Sequence, residues 1–190
     1  MVGSGLPIGF WAFDVSGGEP YIQGAKDYLY KAIEWARQYD IKVIVSYLAD
    51  ELPSGPAELI DAPLYRLQID VHGAPGSQNG FDNSGRRGTA DWATDQRNID
   101  RTRGVVQSLA GEFSDSQYFG VVTAIAVLNE PAGFLNSELL DAARQFNIDA
   151  YYDVRERGGL LVVYHDAFQS PSFWNGAFDY PQTSDVMLDQ

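Results

Sequence analysis

Hydrophobic residues recur along the chain with two different spacings, and the two kinds of segment alternate. Short apolar runs that are rich in β-branched residues and lack polar alternation are typical of strands buried on both faces of a parallel sheet. They occupy residues 6–13, 69–73, 121–128, 160–164 and 186–188. Apolar side chains at helical spacing occupy residues 23–38, 91–113 and 137–156. This order predicts an α/β fold built on a parallel sheet, with Ser137 capping the third helix.

Residues 45–68 interrupt the alternation. The segment contains prolines, has no clear hydrophobic period and separates a strand start at residues 42–44 from the apolar run at residues 69–73. Proline inside a buried parallel strand would remove a ladder hydrogen bond, whereas deleting the segment joins the two halves as one strand. We therefore predict one domain over residues 1–190 in which residues 45–68 are a non-native insertion, the translation of an intron. The alternative is a genuine insertion that protrudes from the domain.

An acid follows the third apolar run directly, in the sequence Asn129-Glu130-Pro131. Open α/β sheets and (β/α)8 barrels both place their chemistry at the carboxyl ends of their strands. Glu130 is therefore the first catalytic candidate, and the alternative is that it only begins a solvated loop. Residues 72–88 are a second candidate region, because a long glycine-rich loop without helical or strand period in a compact domain is usually functional.

Composition narrows the classes of partner. The formal net charge of -13 and the pI near 4.3 argue against binding nucleic acid or an anionic membrane through charge. Neutral sugars remain suitable partners, and an aromatic content of 13% suits stacking on sugar rings. The sequence has no cysteine for a disulfide or a thiolate metal site, and its 2 histidines, His72 and His165, argue against a histidine-rich metal site. No apolar run is long enough to span a membrane, and no signal peptide is recognisable.

Residues 69–85, IDVHGAPGSQNGFDNSG, resemble the signature of the fungal exo-β-1,3-glucanases of glycoside hydrolase family 5. Residues 7–13, 129–131 and 165–168 resemble the same family in the same order. The resemblance implies a (β/α)8 TIM barrel. Because such a barrel typically needs about 250 residues and this chain has 190, we expect an incomplete barrel that holds about strands 2 to 6.

The resemblance also implies a retaining glycoside hydrolase that releases glucose from the non-reducing end of β-1,3-glucan without a metal or an organic cofactor. Retaining enzymes use two carboxyl groups about 5 Å apart, one as acid/base and one as nucleophile. Glu130 matches the acid/base of the family. The nucleophile is expected at the end of the seventh strand, outside this chain.

Five further residues match positions that contact substrate in the family. By resemblance, Asn129, His72 and Asn83 would hydrogen-bond the terminal glucose or the nucleophile. Phe81 would stack at the pocket entrance, and His165 would contact the substrate. His72, Asn83, Phe81 and His165 each have a structural alternative, either a hydrogen bond within the loop or turn or plain packing. The family also carries an Arg before its first matching strand that clamps the nucleophile, and residues 4–7 read SGLP here, without that charge.

Two alternatives to this function stay open. The chain could come from an enzyme of the same family with another β-glycan specificity, such as a β-1,6-glucanase or a cellulase-like enzyme, or it could be a catalytically inactive carbohydrate-binding pseudoenzyme. The family implies an extracellular or cell-wall location and a monomeric complete enzyme. For the isolated chain, an unclosed sheet predicts exposed edge strands at residues 6–13 and 186–188 and association through them.

Overall fold

Five parallel strands form one sheet in which neighbours in space are also neighbours in sequence. The computed structural model describes residues 6–39, 67–178 and 183–190. Its elements are, in chain order, β1 (Leu6–Gly9), α1 (Ala25–Gln38), β2 (Leu67–Gly73), α2 (Gln96–Phe113), β3 (Val122–Ala126), α3 (Ser137–Arg155), β4 (Leu161–His165) and β5 (Val186–Asp189). The strand order is β1-β2-β3-β4-β5, and every neighbouring pair is parallel.

The strand order separates two kinds of parallel α/β fold. A doubly wound sheet reverses its strand order at a switch point, whereas successive strands of a (β/α)8 barrel are always neighbours. The described sheet runs without a reversal from β1 to β5, which is the order of a partial barrel. The predicted α/β parallel architecture is confirmed.

Strand alternation divides the side chains of the sheet between two faces. One face is buried against the helices in a single apolar cluster that includes Ile69, Val71, Ile125, Val162, Ile33, Leu109 and Phe146. The opposite face carries the small residues Ala124 and Ala126 packed with Val163. Asp70 belongs to this second face, because its neighbours in the parallel register are Pro7 and Ala126.

Apart from shifts of one or two residues at other strand and helix ends, three predicted boundaries are wrong. β1 ends at Gly9 because the chain turns into a 3-10 helix at Phe10–Ala12, where the Phe10 carbonyl accepts from the Phe13 and Asp14 N–H groups at 2.9 Å each. α2 begins at Gln96, five residues later than predicted, after Asp95 accepts from the Arg97 N–H at 3.0 Å.

The third wrong boundary is the start of α3, which Asn136 caps instead of Ser137. The Asn136 side chain accepts from the Leu139 N–H at 2.8 Å. Ser137 is the first helical residue.

Most of the predicted insertion lies outside the described residues, as does the predicted strand start at residues 42–44. β2 begins at Leu67, so the last two residues of the predicted insertion are paired strand, with Leu67 opposite Val122 and Gln68 opposite Ala124. The origin of residues 45–68 stays a prediction. Within the described ranges, no helix combines the length and the apolar character that crossing a bilayer requires.

Candidate active site

The carboxyl end of the sheet gathers polar residues from several strands, among them His72 and His165, which the sequence singled out. Asp70 and His72 alternate with buried Val71 at the end of β2, on the face opposite the helices. His165 ends β4 and lies in register with Asp189 of β5. The charge of Asp189 is close enough to act on Asp70. The parallel topology therefore brings side chains from three strands to one edge.

Glu130 follows the end of β3 by four residues, and the backbone that leads to it is bonded to the strands on both sides. The Val127 N–H donates to the Val163 carbonyl and the Asn129 N–H to the Val71 carbonyl, each at 3.0 Å. Glu130 itself has a φ of 47°, in the left-handed region that is costly for a residue with a Cβ. Its Oε2 accepts a hydrogen bond from Asn83 Nδ2 at 3.0 Å. The structure thus brings two predicted site residues into direct contact across 47 positions of sequence.

Asn83 reaches Glu130 from the glycine-rich loop after β2. It lies in a 3-10 helix at Asp82–Ser84 whose last residue is buried and bonded through its Oγ to Ser77 Oγ at 2.6 Å. A Cβ on Gly73 would come within 2.5 Å of the Ser84 carbonyl oxygen, so glycine permits the close approach of loop and strand. Phe81 precedes this turn and is 38% exposed.

His72 is oriented by a buried carboxylate. Its Nδ1 lies 2.6 Å from Asp70 Oδ2, which leaves Nε2 as the ring nitrogen free to face a ligand. The hydrogen bond with Asp70 raises the pKa of His72, against the opposing effect of burial. Burial raises the pKa of Asp70, and the hydrogen bond with His72 opposes that rise.

Gln78 ties the two halves of the site together, and the sequence reasoning did not single it out. Its side chain is fully buried. Nε2 donates to the His72 carbonyl at 3.0 Å and to the Asn129 carbonyl at 2.8 Å. Oε1 accepts from the Ala74 N–H at 3.1 Å. No sequence pattern indicates these contacts, because three main-chain groups make them.

His165 lies at the same edge of the sheet but is bonded within its own loop. Its Nδ1 accepts from the Ala167 N–H at 3.0 Å, and its ring centroid lies 5.0 Å from that of Phe168. Phe168 in turn meets Phe134 edge to face at 5.2 Å, and these two rings are 45% and 55% exposed. Phe134 was also missed, although an exposed aromatic residue four positions after Glu130 is a usable signal in a sugar-binding hypothesis.

Two polar atoms at the site make no hydrogen bond within the part of the chain that the structure describes. They are Asn129 Nδ2 and Asp70 Oδ1, and both are buried. Unpaired buried polar atoms are uncommon in native proteins, and each calls for an explanation such as a catalytic role or an ordered water. The same described residues contain no group of three His, Asp or Glu side chains arranged to hold a metal ion.

Comparison with known proteins supports the sequence resemblance. No protein-family model matches the chain. The chain is 39% identical over 171 residues to a glucan 1,3-beta-glucosidase of Blumeria graminis, with 90% of this chain and 33% of that protein covered. It is 34% identical over 185 residues to glucan 1,3-beta-glucosidase 1 of Schizosaccharomyces pombe, with 97% of this chain and 39% of that protein covered. The chain therefore spans 33% and 39% of the lengths of these two relatives.

The fold is also found among solved structures. A rutinosidase from Aspergillus niger superposes with a TM-score of 0.74 at 16% identity, covering 97% of this chain and 48% of that one. At this level of identity, the likeness concerns the fold alone.

Proposed function

We propose, from the premise that the chain is a sequence relative of the fungal glucan 1,3-beta-glucosidases, that it carries the acid/base half of a retaining glycosidase active site. In this proposal, the protein hydrolyses β-1,3-glucan from the non-reducing end and releases glucose. The observation that carries the proposal is Glu130, held in a strained turn at the carboxyl end of β3 with its carboxylate bonded to Asn83. Strain of this kind persists where the surrounding structure enforces it, and it concentrates at active sites.

In this mechanism, Glu130 transfers a proton in each of the two chemical steps. As an acid, Glu130 would protonate the glycosidic oxygen while the second carboxylate attacks the anomeric carbon. As a base, it would then take a proton from the water that hydrolyses the glycosyl-enzyme. Asn83 supports this role because its amide fixes one carboxylate oxygen at 3.0 Å and so orients the other.

The nucleophile is proposed to come from the seventh strand of the complete barrel, within about 5 Å of Glu130. Asp70 is close enough to Glu130 for their charges to interact. However, Asp70 is buried and bonded to His72, so we assign it to the orientation of His72 and not to attack on the sugar.

Sugar contacts are proposed for the remaining matched residues. Asn129 and the free Nε2 of His72 would hydrogen-bond hydroxyl groups of the terminal glucose, and the exposed ring of Phe81 would stack on a sugar face. His165 would contribute through Nε2 from the end of β4. By the same relationship to fungal glucanases, we place the protein outside the cell or in the cell wall.

Loss of the acid/base tests the proposal. In the protein that carries this chain, Glu130→Gln should reduce glucose release from laminarin by about 10²- to 10⁴-fold, because protonation of the leaving oxygen is lost. An aryl glucoside with a good leaving group needs no such proton and should lose far less of the rate of its first step. For the wild-type protein, proton NMR of the first glucose released from laminarin should show the β-anomer, as a retaining mechanism requires.

The matched control is Glu34→Gln, the same chemical change at an exposed position of α1. It should leave turnover unchanged. Near-normal laminarin turnover by Glu130→Gln would remove Glu130 from the mechanism. Binding of laminari-oligosaccharides without hydrolysis by the wild type would favour the pseudoenzyme, and release of glucose from a β-1,6-glucan alone would favour the other specificity.

A further inference from the structure

We infer that Gln78 is a positioning residue for Glu130. The buried amide of Gln78 holds the turn in which the acid/base carboxylate faces Asn83. Loss of this amide would impair proton transfer more than sugar binding. The kinetic part of this inference rests on the proposed function, whereas its structural part does not.

Gln78 contacts the Glu130 turn from both sides. Its side-chain amide donates to the carbonyl of Asn129, the residue before Glu130, at 2.8 Å. Its main-chain carbonyl accepts from the N–H of Ala132, two residues after Glu130, at 3.1 Å. The backbone on either side of the acid is thus tied to one residue of the glycine-rich loop.

The same side chain fixes the turn to β2. Nε2 also donates to the His72 carbonyl at 3.0 Å, and Oε1 accepts from the Ala74 N–H at 3.1 Å. Both amide hydrogens and one oxygen lone pair are therefore used. This one amide therefore connects the start of the loop that carries Asn83 with the turn that carries Glu130.

The conformation of Glu130 explains why the turn needs these hydrogen bonds to Gln78. A φ of 47° is unfavourable for a residue with a Cβ, so the isolated turn would relax to negative φ. Rotation about this bond would swing the carboxylate away from Asn83. The Asn129 carbonyl precedes the strained bond, and its hydrogen bond to Gln78 opposes that rotation directly.

Only a neutral amide of this length makes all three contacts. Methionine has a similar volume but supplies neither donor nor N–H acceptor, and so leaves the His72 and Asn129 carbonyls and the Ala74 N–H without these hydrogen bonds. Glutamate retains the acceptor for Ala74, but its carboxylate faces the His72 and Asn129 carbonyls without a hydrogen to give. Gln78→Met and Gln78→Glu therefore both remove the hydrogen bonds to the His72 and Asn129 carbonyls, the first with a neutral side chain and the second with a charged one.

A structural measurement on the chain tests the placement without reference to activity. In solution NMR, positive φ at Glu130 gives a strong intraresidue contact between its amide and α protons in the wild type. We expect that contact to weaken in Gln78→Met and Gln78→Glu. Gln96→Met is the matched control, because Gln96 is exposed and its side chain donates to Asp100 at 2.9 Å, within the same helix α2. In the wild type itself, the Gln78 side-chain amide should exchange slowly with solvent.

A kinetic measurement on the active protein then separates positioning from general destabilisation. Misplacement of the acid should reduce kcat on laminarin by about 10-fold or more, with little change in KM and little change on an aryl glucoside whose leaving group needs no proton. Simple loss of folded protein would reduce the rates on both substrates equally. The Gln96→Met control should match the wild type on both.

Three outcomes overturn the inference. They are an unchanged Glu130 signal in both Gln78 variants, rapid exchange of the Gln78 amide in the wild type, and equal rate losses on the two substrates. If the wild type hydrolyses neither substrate, the proposed function fails, and the NMR comparison still decides whether Gln78 holds the turn. If both variants fail to fold, the exchange rate in the wild type decides it.

Discussion

At the scale of single residues, the candidate site consists of polar side chains that orient one another. Asn83 fixes the Glu130 carboxylate at 3.0 Å, and Asp70 fixes the His72 ring at 2.6 Å. In each pair, one side chain (Glu130 or His72) would contact the substrate, and the other (Asn83 or Asp70) fixes the position of the first. Geometry of this kind matters because reacting groups lose rate steeply when they are misplaced by as little as about 1 Å.

The Asp70–His72 pair predicts a pH-dependent contribution to stability. The hydrogen bond with Asp70 raises the pKa of His72 above its ordinary value of 6.5. A histidine whose pKa is higher in the folded state stabilises the fold fully below its unfolded-state pKa, and this contribution is lost as pH rises through the folded-state pKa. His72→Gln should therefore lower the free energy of unfolding more at about pH 5.5 than at about pH 8.5.

Urea denaturation at both pH values measures this difference. In an Asp70→Asn background, the pH dependence of the His72→Gln effect should become much smaller, because the carboxylate whose hydrogen bond and charge raise the pKa of His72 has been removed and only the charge of Glu130 still raises that pKa. An equal loss of stability at the two pH values in the wild-type background would show that protonated His72 gains nothing from Asp70.

At the scale of elements, α3 is defined by a cap one residue earlier than its sequence indicates. Asn136 accepts from the Leu139 N–H at 2.8 Å, so Asn136→Ala should cost about 0.5–2 kcal/mol of stability. Ser137→Ala is the matched control and should change stability by less than about 0.5 kcal/mol, because Ser137 is exposed and already helical. Thermal or urea unfolding distinguishes the two. A larger loss at Ser137 would restore the sequence-based assignment.

The glycine-rich loop depends on an element far from it in sequence. Trp11 and Tyr21 stack with ring centroids 4.1 Å apart, and Tyr21 donates its hydroxyl hydrogen to the Gly85 carbonyl at 3.3 Å. A Cβ on Gly85 would lie 2.5 Å from the Trp11 ring. The segment after β1 therefore supports the loop two residues from Asn83, and a disturbance of this edge of the sheet would reach the site.

At the scale of the whole molecule, the described sheet is open, with β1 and β5 at its two edges. Edge strands present unpaired backbone groups that can pair with a second chain. A net charge of -13 opposes association at low salt, and salt screens that repulsion within a Debye length of about 10 Å at 0.1 M. We expect the isolated 190-residue chain to associate with increasing salt and concentration.

Sedimentation velocity across a salt series measures this association. Met187→Lys introduces a charge into the edge strand β5 and should reduce self-association. Tyr152→Lys is the control, because Tyr152 is an exposed residue of α3 and not part of an edge strand. A monomer at every salt and protein concentration would contradict the prediction, as would an equal effect of the two substitutions.

The sequence by itself determined the element types, the parallel architecture and the chemical candidates. Burial of apolar runs fixes strands and helices locally, and residue types such as those of Asn83, Glu130 and His72 restrict what chemistry is possible. Tertiary structure alone decided the Asn83–Glu130 contact, the positive φ of Glu130 and the role of Gln78. The Asn83–Glu130 contact joins two side chains 47 positions apart. The Gln78 side chain bonds main-chain groups up to 51 positions away, and every residue offers the same main-chain groups. Such contacts leave no pattern in the sequence, because the fold and not the residue type selects the partner.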